Sequence, residues 1–288
     1  MVPNADSVER NSISDGREEV VMVRKPAVAG RFYPGTASAL RADIERMVDP
    51  DISGEKVIGL ISPHAGYPFS GPVAGATFSK IEFAATFVIL GPNHTGMGAP
   101  FSIMTDGAWE TPLGEVEIDS ELGKRILLAS EYLEEDPGAH GYEHSVEVQL
   151  PFLQYLGDDF RIVPVVLANA GGEIYKEIGR SVAEAIKNLN RGVVIVASSD
   201  MTHYEPHDTA KTKDMKAIEA ILDLDEYELL KRIKEYNITM CGYGPVVCLI
   251  SAAKKLGAKE AELVRYQTSG DVTGDYRSVV GYAGVIIK

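Results

Sequence analysis

The chain has 288 residues and 45% apolar content, which fits one large globular α/β domain. Its formal net charge of −14 argues against a nucleic-acid or anionic-membrane partner, because such surfaces would repel it. No apolar run approaches the ~20 residues needed to span a bilayer, and the polar N-terminal stretch lacks a signal-peptide core. We therefore expect a cytoplasmic protein that binds neither nucleic acid nor membranes.

The sequence predicts one structural domain. Residues 1–24 are polar and acidic, and we expect them to form a flexible N-terminal arm. The globular part then covers residues 25–288, within which no repeat, low-complexity tract or Pro/Gly linker marks a second boundary.

Strands and helices alternate along the globular part. In chain order, the pattern predicts a helix at 38–48, a strand at 56–62, a helix at 71–81, a strand at 85–91, a hairpin-like turn region at 109–119, a helix at 119–133, an ambiguous segment at 143–156, a strand at 160–168, a helix at 174–189, a strand at 191–199, helices near 218–222, 229–233 and 244–257, and a strand at 278–288. Strands that are apolar throughout favour a mainly parallel sheet covered on both faces. The predicted fold is a single-domain, three-layer αβα sandwich with a mixed, mainly parallel central sheet.

Histidines follow separate strands of this predicted sheet. His64 follows "VIGLIS", His94 follows "TFVILGPN", and His203 follows "VVIVASSDMT". In open α/β sheets, ligands bind beyond the carboxyl ends of the strands. If these strands are parallel neighbours, the imidazoles meet at that edge, although any one of them taken alone is more typical of a surface or structural histidine.

The other histidines give weaker signals. His140 and His207 lie in polar loops, where a surface or structural role is favoured. His144 is intermediate, because Glu147 three residues later could share its helical face.

Asp200 and the cysteines leave several roles open. Asp200 could bind a metal, orient an imidazole or cap the next helix. Cys241 lies before a predicted helix whose N-terminal amides favour a thiolate, but it could equally be a small buried apolar residue. Cys248, inside that helix, is expected to pack in the core. The two cysteines are too far apart to bridge, so we expect both to be reduced.

Imidazole nitrogens together with a thiolate or carboxylate are typical ligands of iron, zinc or copper. The phosphate-binding motifs GxxxxGK[ST] and GxGxxG are absent, as are the hydrolase motif GxSxG and the zinc-protease motif HExxH. Any metal ligands are scattered along the chain and meet only when it folds.

A series of ordered motifs resembles the Memo family, whose prokaryotic members are often called AmmeMemoRadiSam system protein B. The motifs are "AGRFYPG", "SPHAGYPFSGPVAG", "ILGPNHTG", "WETPLGEVEID", "EHSVEVQLPFL", "SSDMTHY", "CGYGPV" and "SGDVTGDY" followed by "VVGYAG", and they cover nearly all of residues 25–288. The resemblance implies a fold similar to the LigB-type, class III extradiol dioxygenases.

The resemblance also implies a site. The family's metal-binding positions fall on His64, His94 and Cys241. Its remaining site positions, which we assign to catalysis, fall on His144, Asp200 and His203. A thiolate in place of the carboxylate ligand of the related dioxygenases weakens any inference of ring cleavage.

The sequence supports hypotheses of three kinds. The first is a mononuclear non-heme metal oxidoreductase with dioxygenase-like chemistry, binding one transition-metal ion, iron first and copper or zinc as alternatives. The second is a metal-assisted hydrolase. The third is a non-enzymatic module that binds a peptide or protein. The ligand is an unidentified small molecule or peptide, and the prokaryotic family name suggests a radical-SAM system partner.

Overall fold

The computed structural model describes residues 8–14, 17–49 and 54–288. The strands are β1 (Val8–Ser14), β2 (Arg17–Arg24), β3 (Gly59–Ser62), β4 (Thr86–Pro92), β5 (Phe101–Ile103), β6 (Ala108–Thr111), β7 (Gly114–Glu117), β8 (Glu134–Glu135), β9 (Arg161–Leu167), β10 (Val193–Ser198), β11 (His203–Glu205), β12 (Ala261–Thr268) and β13 (Val279–Ile287). The helices are α1 (Ala37–Glu45), α2 (Tyr67–Ser79), α3 (Ser120–Ala129), α4 (Leu150–Leu156), α5 (Gly172–Ile186), α6 (His207–Leu222), α7 (Glu226–Glu235), α8 (Tyr243–Leu256) and α9 (Gly270–Thr273), with short 3-10 helices at Pro137–His140 and Glu147–Gln149. Within the described ranges, no helix is long and apolar enough to cross a membrane.

The main sheet has a parallel centre. Its strand order, for the part of the chain described, is β11-β13-β3-β10-β4-β9-β5-β8, with β12 also paired to β13. Strands β3, β10, β4 and β9 run parallel, whereas β13 and β5 flank them in antiparallel pairing. Because β10 lies between β3 and β4, the carboxyl ends of these strands are adjacent. This confirms that the strands preceding His64, His94 and His203 are parallel neighbours, as the prediction of a shared site required.

Each face of the sheet is covered by helices. Along β4, Phe87 and Ile89 face a core shared with α1, α2 and α4, while Val88 and Leu90 face a second core shared with α3, α5, α6, α7 and α8. Successive side chains of a strand point to opposite faces, so a strand between two helical layers must be apolar throughout. The predicted three-layer α/β fold class is confirmed.

Several boundaries differ from the sequence prediction. Helix α2 begins at Tyr67 rather than at residue 71, because Pro68 is tolerated in its first turn and Pro72 is accommodated inside it. The ambiguous segment 143–156 is helical from residue 147, with Pro151 in the first turn of α4. Strand β12 was not predicted, because residues 261–268 are mostly half-buried and include two charged side chains, Glu262 and Arg265.

The predicted N-terminal arm is partly described. Strands β1 and β2 pair with each other, and β2 continues into a smaller sheet of order β1-β2-β6-β7 within the described residues. Val23 and Arg24 are buried, so the end of β2 belongs to the body of the fold. The flexibility predicted for residues 1–24 stays a prediction, and residues 1–7, 15 and 16 lie outside the described part.

Candidate metal centre

Histidine side chains from separate elements meet at the carboxyl edge of the sheet. Each of His64, His94 and His144 offers a ring nitrogen, and these atoms all lie within 4.8 Å of one another. The rings of His94 and His144 are stacked with centroids 4.8 Å apart, and His64 meets both edge-on. Among the described residues, this cluster is the group of side chains whose geometry can hold a metal ion.

His64 lies on the turn that follows β3. Asp200, just beyond β10, shapes this turn because its carboxylate accepts the backbone N–H groups of His64 (2.7 Å) and Ala65 (3.3 Å). Burial, reinforced by the neighbouring histidines, lowers the pKa of His64 well below its usual value, so its imidazole is neutral near pH 7.

The hydroxyl of Ser198 determines which ring nitrogen of His64 carries the proton. It donates its single hydrogen to the carbonyl of Ser145 at 2.6 Å, because a carbonyl can only accept. The 2.8 Å contact between Ser198 Oγ and His64 Nδ1 therefore requires Nδ1 to be the donor. This tautomer leaves a lone pair on Nε2, the nitrogen a metal ion would use.

Glu143 plays the corresponding part for His94, and its carboxylate also lies near His144. Its Oε1 lies 2.9 Å from Nδ1 of His94 and 3.4 Å from Nδ1 of His144. Burial would raise the pKa of Glu143, but other groups lower it to about 2. These are the hydrogen bond and charge of His94, the hydrogen bond from the N–H of Ser145, and the charge of His144. An ionised carboxylate only accepts, so His94 donates from Nδ1 and keeps Nε2 free.

Cys241 approaches the cluster from the segment before α8. Its Sγ lies 3.1 Å from Nε2 of His64 and accepts the backbone N–H of Asp200 at 3.3 Å. The expected thiolate is not supported in the metal-free protein: burial, followed by the charge of Asp200, raises the pKa of the Cys241 thiol. A bound metal ion is the usual means of deprotonating such a thiol.

Asp200 and His203 differ in how they reach the site. Asp200 does not cap α6, whose N-cap is Pro206, and burial raises its pKa. The ring of His203 is fixed by Thr239, whose carbonyl accepts from Nδ1 at 2.9 Å, rather than by Asp200. His203 is still close enough for its charge to lower the pKa of both His64 and Asp200.

A buried ion pair supports the segment that carries Glu143 and His144. Arg24 pairs with Glu147, donates to the carbonyls of Glu143 (2.7 Å) and His140 (3.1 Å), and stacks on the ring of Trp109. Glu147 also accepts from the backbone of residues 27 and 28 and from a tyrosine hydroxyl. Glu147 is thus engaged with Arg24, and the carboxylate beside His144 is Glu143 instead.

Two glycines allow the surrounding segments to approach the strand ends. A Cβ on Gly91 would lie 2.3 Å from Oγ of Ser145, and one on Gly242 would lie 2.2 Å from the carbonyl oxygen of Ser198. Both distances are shorter than real Cβ contacts, so only glycine fits without displacement. The "LGPNH" and "CGYG" motifs therefore owe part of their composition to close packing.

The remaining predicted residues lie outside the cluster. His140 is fully buried and contacts Ser102 at 3.0 Å, which fits the structural role favoured for it. His207 begins α6 and contacts Thr268 at 3.0 Å. Cys248 packs in the core as predicted, and both cysteines are free.

Sequence reasoning missed Glu143 and Ser198. Each directly adjoins a predicted site or strand end, but neither a glutamate beside a histidine nor a serine at the end of a strand is by itself the sign of a site. The residue types alone therefore gave no signal.

Comparison with known proteins yields both family and fold likenesses. A family described as "Memo-like protein" matches residues 24–286. A MEMO1 family protein of Methanococcoides burtonii is 50% identical over 92% of this chain and 100% of its own length. A MEMO1 family protein of Methanopyrus kandleri is 47% identical over 93% of this chain and 99% of its own length. The crystal structure of an uncharacterized protein from Escherichia coli K12 aligns with 80% of this chain and with the whole of its own chain, with a TM-score of 0.56 and 13% sequence identity. This similarity concerns the fold alone.

Proposed function

Because this chain belongs to the Memo family, and because its histidines converge at one sheet edge, we propose that it is a metal-dependent protein that binds one transition-metal ion. The convergence of His64, His94 and His144 within 4.8 Å is the observation that carries the proposal. Dioxygenase-like redox chemistry on a small molecule or a modified residue is the activity we favour, with iron as the metal.

The chemistry of the donor set fits such an ion. His64 and His94 are held with Nδ1 protonated, so their Nε2 atoms are available as neutral ligands. Cys241 adds a sulfur beside His64, and this mixed nitrogen and sulfur set suits iron, copper or zinc better than magnesium or calcium.

We assign His64 and His94 as ligands, with Cys241 as the third. The side chain of His144, stacked on His94, is 22% exposed, so a bound substrate can reach it. The pKa of His144 is lowered, chiefly by burial, so a neutral ring is available to accept a proton near pH 7. His203 keeps its Nε2 free for a similar role, and Asp200 holds the turn of His64.

A bound transition-metal ion would supply open coordination positions for oxygen or an organic substrate. The chain's own residues then orient the substrate and move protons at His144 and His203. Elemental analysis of protein purified without an affinity histidine tag, followed by titration with Fe²⁺, Cu²⁺ and Zn²⁺, tests the proposal. Stoichiometric uptake that is lost in His64→Ala is expected, and failure of the native protein to take up any of the three ions would overturn it.

Two further variants separate the ligand sets. If Cys241 is the third ligand, Cys241→Ala loses metal binding more severely than His144→Ala. The opposite order would assign the three-histidine set instead, and the core variant Cys248→Ala serves as the control for removal of a thiol.

Metal-assisted hydrolysis is a second candidate, favoured by the free Nε2 of His203, which could deprotonate a bound water. Activity that persists without oxygen or a redox partner would favour hydrolysis over redox chemistry. The cytoplasmic location, the radical-SAM partner and the peptide-binding alternative stay predictions. A stable complex that survives His64→Ala would favour the last of these.

A further inference from the structure

Oε1 of Glu143 lies between two histidine rings: it accepts a hydrogen bond from Nδ1 of His94 at 2.9 Å and lies 3.4 Å from Nδ1 of His144. The side chains of these histidines are 33% and 22% exposed, so the surrounding residues enclose neither ring completely. Without a partner at Nδ1, an imidazole can turn about its last torsion and exchange tautomers, and either change would point the wrong atom at a metal ion.

The carboxylate of Glu143 is itself immobilised. It is fully buried, Oε1 accepts the N–H of Ser145 at 2.8 Å, and Oε2 accepts the backbone N–H of His94 at 2.6 Å. The guanidinium of Arg24 also donates to its backbone carbonyl. Because both oxygens are engaged and water is excluded, Glu143 offers Oε1 to the two rings in one fixed direction.

We propose that Glu143 is a positioning residue that holds His94 and His144 as a matched pair, so that His94 turns Nε2 toward the metal ion and His144 turns Nε2 toward the substrate beside it. This inference rests on the proposed function, since it concerns the same cluster. It adds that one carboxylate controls two of the histidines, whereas Ser198 controls His64 separately. Loss of a group that fixes metal-binding histidines typically lowers metal affinity 10–100-fold.

Glu143→Gln is the sharpest test because the amide keeps the size of the side chain. In one orientation of the amide, its NH₂ group faces the backbone N–H of His94, and in the other it faces the ring nitrogen of His94 that donates to Glu143. In either orientation one donor meets another, so a hydrogen bond is lost. We expect the affinity for Zn²⁺, measured by competition with a chromophoric chelator, to fall by about 10–100-fold. In metal-free protein, ¹H–¹⁵N spectra recorded at about pH 8, above the ordinary imidazole pKa, should show that His94 loses the Nδ1–H tautomer.

Glu147→Gln is the matched control, because it removes a buried carboxylate from the same segment that hydrogen-bonds to neither ring. It should lower stability yet leave the tautomers of His94 and His144 unchanged. If Glu143→Gln does not fold, Glu143→Asp keeps the charge but is one methylene too short to reach both rings, and the same two measurements apply.

The outcomes distinguish the two proposals. A native protein that binds no Zn²⁺ counts against the metal site, while the spectra of the metal-free protein still decide the role of Glu143. Unchanged tautomers and an unchanged Zn²⁺ affinity in a folded Glu143→Gln variant would overturn the positioning role. An equal loss in Glu147→Gln would overturn it as well, because the effect would then be general to the segment.

Discussion

The buried ion pair between Arg24 and Glu147 gives the largest predicted effect on stability. Glu147 is fully buried and Arg24 is 4% exposed. In Glu147→Gln the guanidinium loses its counter-charge inside the protein, and an NH₂ group is placed among N–H donors. Breaking a buried pair from one side typically costs about 3–5 kcal/mol. For a domain of this size, that cost corresponds to a fall of about 6–20 °C in the melting temperature.

Urea unfolding of metal-free protein, followed by circular dichroism, measures this cost. We expect the midpoint to fall without a change in the slope. Arg277→Met is the control, because the Arg277–Asp275 pair is exposed and its removal should leave the midpoint where it was. A Glu147→Gln midpoint equal to that of the native protein would refute the reasoning, since the network would then not support residues 143–148.

Three more predictions use the same unfolding assay. Burial lowers the pKa of His140 to about 3, so the folded state stays neutral while the unfolded chain gains a proton below about pH 6.5. The stability that His140 contributes is present above this pH and is lost as the pH falls. From pH 6.5 to 5 the free energy of unfolding of the native protein should fall by about 2 kcal/mol relative to that of His140→Gln. Curves of unfolding free energy against pH that run parallel for the two proteins would contradict this. Gly91→Ala should cost about 1–3 kcal/mol because its Cβ displaces Ser145, whereas Gly192→Ala, whose Cβ meets only ordinary contacts, should not. Tyr67→Phe should cost about 1–2 kcal/mol, because the buried carbonyl of Val148 loses its donor, and no loss would mean that water replaces the hydroxyl.

The strand-end histidines were predictable because the sheet has a strong pattern. Continuous apolar runs are readable from sequence, and parallel neighbours must end at one edge. His64 and His94 therefore meet as expected. His203 reaches the same edge but turns toward Thr239, a contact that depends on the loop before α8 and that no local pattern encodes.

The supporting residues were not predictable from local sequence. Arg24 lies in a stretch whose polarity resembles a tail, yet its guanidinium is buried against residues more than 110 positions away. Glu143 and Glu147 lie in one short motif, and only the folded backbone decides which of them faces the histidines. Tertiary contacts of this kind override the helical spacing that pairs His144 with Glu147.

The contact between His64 and Cys241 joins positions 177 residues apart in the sequence. An ion held there and at His94 would tie the turn after β3 to the segment before α8, two parts of the chain that meet only when it folds. Partly folded chains would therefore present no complete site, and metal would bind the native state alone. The apparent stability of the protein should consequently rise with the logarithm of the free metal concentration.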